Sequence, residues 1–199
     1  DSCPKTRRMA QEALDAVLHH PRDGLDIFTP LFLLSSRDDE AIMQVRTELY
    51  KTLVSPEDRA DYVSNWRNTW STSYRLIAMA EYYLMTGDAA VAPAIEAMCR
   101  VLERQQFLSG SWSHGKPGGY GEINNVGLAA FIALALAREC GAEVNERVLA
   151  RAIRYFGSYC GGSFFYGIDL PMGRGGTNDN GMPAMAAVAF HILGEKEMA

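Results

Sequence analysis

The feature that most constrains this chain is a recurrence of about fifty-three residues. Apolar helical segments stop at Gly87, Gly141 and Gly194, which lie 54 and 53 positions apart. The loop strings Gly110-Ser111-Trp112 and Gly162-Ser163-Phe164 lie 52 apart. Each unit reads as apolar helix, glycine, amphipathic helix and then a glycine-rich aromatic loop. Self-similarity at such a period marks helical-hairpin repeats, whose units bury their apolar faces by stacking on one another. Buried helices alternating with half-exposed ones imply inner helices shielded by outer ones. Few stretches alternate as strands do. The fold class is therefore all-α, one domain over 1–199 with the repeat over 66–199.

In chain order, helices are expected over Lys5–His20, Leu25–Ser35 with Pro30 in its first turn or at a kink, and Asp38–Leu53 capped from Ser36–Asp39. Ser55-Pro56-Glu57-Asp58 opens another. Trp66–Trp70 reads as a connection. Then follow Ser71–Thr86, Ala89–Gln106, Asn125–Cys140, Asn145–Tyr159 and Met182–Leu193. The last helix has no following partner, so its apolar surface needs the first helices, further repeats or another chain to cover it.

A net charge of −5 argues against nucleic acid, which calls for clustered Lys and Arg. No apolar run approaches the ~18 residues of a membrane span. The chain opens with Asp1 rather than Met and shows no signal peptide, which suggests a processed or excised piece. Cys3, Cys99, Cys140 and Cys160 form no metal-ligand spacing. They read as ordinary thiols, with a Cys140–Cys160 bridge open to a secreted protein. Neither metal nor cofactor is expected.

Val101-Leu102-Glu103-Arg104-Gln105-Gln106, followed by Gly110-Ser111-Trp112, resembles the Gln/Trp repeat of the terpenoid-cyclase and protein-prenyltransferase α/α toroids. Trp70-Ser71-Thr72-Ser73-Tyr74, Ala80-Glu81-Tyr82-Tyr83-Leu84, Gly118-Gly119-Tyr120-Gly121 and Asn180-Gly181 look like an uncharacterised bacterial family expected to carry such toroids. The resemblance covers about Trp66 to Gly194. It implies a partial α/α toroid and a multidomain, exported protein, and it brings no activity with it. The Asp-x-Asp-Asp cluster of proton-initiated cyclases is missing, as is the Asp/Cys/His zinc set of prenyltransferases. Gly119-Tyr120-Gly121-Glu122-Ile123 copies the outline of a Gly-Cys-Gly-Glu-Gln thioester motif but replaces both bond-forming residues.

Between two helices, residues 110–128 hold Trp112, His114, Tyr120, Glu122, Asn124 and Asn125 among five glycines before Gly127. Residues 161–180 hold Phe165, Tyr166, Asp169, Arg174 and Asp179. If repeats stack in register, both loops emerge at one end. Aromatic faces with carboxylates and amides suit a glycan or other small ligand. In that reading His114, Tyr120 and Glu122 are catalytic, and Trp112, Asn124, Asn125, Tyr166, Asp169, Arg174 and Asp179 bind substrate. The residue types resemble those of α/α-toroid polysaccharide lyases, without an aligned motif. A Glu122/Asp169 pair would instead suit hydrolysis.

The same residues also have structural roles open to them. Trp112 and Phe164 would be wedges between repeats, and Asn178–Asn180 would cap the last helix. Glu122 would favour the N-terminus that follows it. The competing functions are a non-catalytic interaction module of a larger protein and isoprenoid binding in a cavity lined by Tyr74, Met79, Phe131 and Phe190.

Overall fold

The computed structural model describes residues 3–19, 28–53, 69–115, 121–160, 164 and 181–198. These contain eight α-helices and one 3-10 turn, and among the described residues there is no strand. The helix expected from Ser55 lies outside them.

Helix α1 (Pro4–His19) is amphipathic and buries Leu14. Helix α2 (Thr29–Ser36) takes Pro30 in its first turn and stops at Arg37, whose φ of 56° breaks the helical path. Asp38 then accepts from the amides of Glu40 and Ala41, at 3.0 Å each, and so opens α3 (Asp39–Leu53). Helix α4 (Thr69–Thr86) begins earlier than expected, because Thr69 and Trp70 already lie in its first turn.

A 3-10 turn (Ala89–Val91) leads into α5 (Ala92–Gln105), followed by α6 (Asn124–Glu139), α7 (Glu146–Gly157) and α8 (Met182–Leu193). Gly87, Gly141 and Gly194, the recurring stops, all take positive φ, between 70° and 83°. That conformation satisfies the last carbonyls of a helix at no steric cost to glycine.

Helices α2, α4, α6 and α8 pack side by side in that order. Helix α3 covers α2 and α4, α5 covers α4 and α6, and α7 covers α6. Inner helices α4 and α6 are each antiparallel to the outer helix that follows. Thr69 at the start of α4 donates to Gln105 at the end of α5 (3.1 Å), and Tyr155 near the end of α7 donates to Asn124 at the start of α6 (2.9 Å). Neighbouring inner helices α4 and α6 run in the same direction. The Cys140 thiol after α6 donates to the Ala80 carbonyl, and the Thr69 amide donates to the His114 carbonyl in the loop that precedes α6.

Between the layers lies the core, with Met79, Tyr82, Leu102, Trp112, Phe131, Phe156 and Phe190 fully buried. Phe131 stacks on Phe156 at 5.5 Å and meets Phe190 edge-on at 5.6 Å. Burying one such ring stabilises the fold by ~1.5–3 kcal/mol. All four cysteines are free thiols.

Two polar devices fasten one unit to the next. Asp88 accepts from the hydroxyls of Tyr50 (2.8 Å) and Tyr82 (2.9 Å) and sits 3.6 Å from Arg46. The Tyr50 hydrogen bond is the main cause holding its carboxyl below the ordinary value. On α5, Glu96 accepts from the Glu143 amide (2.9 Å) and Glu103 from the Asn145 amide (2.7 Å), both in the turn between α6 and α7.

Candidate functional site

Two places qualify, the glycine-rich loop end and the open face of the inner helices. The loop leaves α5 through Gln106. Its side-chain amide donates to the carbonyls of Gly110 (3.1 Å) and Val148 (2.9 Å), and its oxygen accepts from Arg151 at 2.9 and 2.6 Å. One residue thus ties its own loop to the outer helix of the next hairpin. Gly110 sits in the tightest place. Its φ is 112°, and a Cβ there would fall 2.3 Å from the Arg151 carbonyl oxygen.

Trp112 is fully buried, and its indole N–H donates to the Leu102 carbonyl (2.8 Å). Phe164, 52 residues on, is also buried, stacked on Tyr159 at 4.9 Å. Tyr159 donates to Tyr155, which donates to the buried Asn124. Phe164 and Trp112 are therefore at the same end of the molecule, since the Trp112 carbonyl accepts from Ile123 beside Asn124. Burial, then the hydrogen bond from Tyr159, pushes the Tyr155 phenol well above its ordinary range, so it stays a neutral donor.

Of the expected site residues, Trp112, Glu122 and Asn124 have partners within the loop and helices; Glu122 accepts from Ser109 at 2.7 Å. His114 is exposed. Asn125 lies two helical turns before Ile132 on the same face of α6. Among the described residues, three buried side-chain oxygens meet no hydrogen-bond partner: Ser111 Oγ, Glu122 Oε2 and Asn125 Oδ1. Tyr120, Tyr166, Asp169, Arg174 and Asp179 fall outside the described residues, as does Asn178–Asn180; the position before α8 is taken by Gly181, at φ 78°.

The second place had no sequence counterpart in this form. All four inner helices contribute to one groove of about 650 Å³. Its walls are Leu31 and Leu34 of α2, Tyr74 and Ile77 of α4, Ile132 and Leu136 of α6, and Met185 and Ile192 of α8. Arg37 and Glu81 are the charged groups on its lining. Burial raises the pKa of the Tyr74 phenol. Of the four residues expected to line a cavity, Tyr74 does. Met79, Phe131 and Phe190 instead point into the core between layers. These helices are apolar on nearly every side, so periodicity does not distinguish the stripe facing the groove from the stripe facing the outer layer.

Inner and outer helices in successive hairpins, pinned by a Gln/Trp loop and enclosing an apolar groove, define an all-α hairpin protein. The chain belongs to the family described as Domain of unknown function (DUF6288), whose profile matches residues 6–199. No curated protein and no solved structure matches the chain.

Proposed function

We propose that this chain is an arc of an α/α toroid whose inner face binds an apolar ligand, a hydrocarbon chain of isoprenoid or acyl type. The observation that carries the reading is the groove. Its volume lies in the range of small-molecule sites, and such sites are walled mainly by hydrophobic groups with a few polar ones. The parallel run of α4 and α6, with the Gln/Trp loop between hairpins, supports the toroid arrangement.

Fluorescence titration with dansyl-undecanoate tests it. Saturable micromolar binding is expected, displaced by farnesol. Ile132→Trp fills the groove from a half-buried position and is expected to weaken binding about tenfold, some 1.4 kcal/mol. Absence of saturable binding, or equal binding by a folded Ile132→Trp protein, refutes the reading.

A second reading places a hydroxyl-rich ligand such as a glycan at the loop end. The oxygens of Ser111, Glu122 and Asn125, which meet no partner among the described residues, favour it, because buried acceptors are normally satisfied. In it, Glu122, with His114 and Tyr120, keeps the acid–base role and Trp112 a supporting one. A thermal-shift panel of glycans tests this: stabilisation that Glu122→Gln abolishes supports it, and no shift with any glycan ends it.

A further inference from the structure

Inner helices α4, α6 and α8 stop on glycines, Gly87, Gly141 and Gly194, each at positive φ. Helix α2 stops on Arg37 instead, at φ 56°. Among the described residues, no other residue except glycine has a positive φ. A left-handed backbone is open to glycine and costs other residues steric strain. The chain thus holds an arginine where glycine would end the helix with less strain. Arg37 lies on the lining of the groove. Glu81 is the other charged group there, and no ion pair joins the two. The rest of the lining is apolar apart from Ser35 and Tyr74. Tyr74 and Met85, both on that lining, stand eleven residues apart on α4, ~16 Å along the helix.

We infer, resting on the apolar-ligand reading of this groove, that its ligand is a long-chain carboxylate whose head pairs with Arg37. The length of the apolar wall suits an extended tail. A carboxylate matches a single guanidinium, whose planar donors engage both of its oxygens. A diphosphate carries more negative charge than one arginine neutralises, and Glu81 repels it further. Glu81 likewise disfavours a carboxylate head on the α4 side of the opening, which leaves Arg37 on the α2 side as its partner.

Isothermal titration calorimetry of the whole chain compares laurate with dodecanol, and farnesyl diphosphate with farnesol, each below the concentration at which micelles form. Laurate and dodecanol share one tail, so their ratio isolates the head. Laurate is expected to bind about fivefold more tightly, the upper range for an exposed ion pair, and the preference to shrink at high salt. Arg37→Gly is expected to remove the preference and leave dodecanol binding as it was. Circular dichroism verifies that this variant folds, which the left-handed backbone favours. If Arg37 served only the negative end of the α2 dipole, the substitution would alter melting and leave the ratio unchanged. An unchanged ratio in folded Arg37→Gly overturns the inference. So does equal binding of laurate and dodecanol by the wild type, or a larger gain for farnesyl diphosphate over farnesol. In those cases the groove reading stands; if no amphiphile binds, both fall.

Discussion

Replacing Gln106 with alanine removes the hydrogen bonds that join the α5 loop to α7. The Gly110 and Val148 carbonyls lose their donor in a buried setting, while Arg151, half-buried, turns to water. Leaving the buried Gly110 carbonyl unsatisfied costs ~1–3 kcal/mol, and the Val148 carbonyl, which keeps its place in the α7 ladder, loses a second bond worth ~1 kcal/mol, so the expected loss is about 3 kcal/mol. In a chain of this size that lowers the thermal midpoint by roughly 6–12 °C. Urea unfolding followed by circular dichroism measures it. Gln106→Glu sharpens the test, since a carboxylate keeps Arg151 but presents negative charge to both carbonyls. It is expected to be at least as destabilised as the alanine variant. A double-mutant cycle with Arg151→Ala should return a coupling of about 1 kcal/mol or more. A loss below about 1 kcal/mol for Gln106→Ala, or a glutamate variant as stable as wild type, refutes the view that this side chain fastens one hairpin to the next.

Trp112→Phe, which drops the donor to Leu102, should cost ~1–3 kcal/mol, and Trp112→Ala ~3–5 kcal/mol, in the same unfolding assay. Thiol titration of the folded protein at pH 8 should find Cys3 and Cys160 reacting fast. Cys99, whose pKa burial pushes up to about 12, and Cys140, at about 11, should react only on unfolding. Asp88 has a depressed carboxyl, so its contribution is present above the ordinary carboxylate pKa and lost as pH falls through its folded value. The thermal midpoint should therefore drop below about pH 4, less steeply in Tyr50→Phe. Gly110→Ala, which brings a Cβ against the Arg151 backbone, should destabilise more than Gly87→Ala, where nothing lies within 4 Å; comparative melting curves decide.

The helical order was legible because glycine stops and apolar periods are local signals. Met182–Leu193 is found with the bounds expected, ending at the Gly194 stop, although Gly181 and not Asn178–Asn180 takes the position before it. Trp112 and Phe164 read as wedges because their positions recur, and burial of both agrees with that. Partners distant in the chain were not legible. Nothing near Gln106 announces Arg151, 45 residues away, and nothing near Asp88 announces Tyr50, 38 residues away. The groove was hidden for a different reason. On α6, Ile132 and Phe131 are adjacent apolar residues, yet one faces open space and the other the core. Only the position of the next helix decides which.

The pairing of Glu96 and Glu103 with the amides of Glu143 and Asn145 has a direction in time. The carboxylates leave the ribosome some forty residues before the amides they receive, and until then water hydrates them on an outer surface. When the turn after α6 emerges, its donors meet acceptors already in position. For these two amides, assembly from the amino end thus leaves neither waiting for its acceptor, whereas a fragment beginning at α6 would face solvent where its predecessor should be.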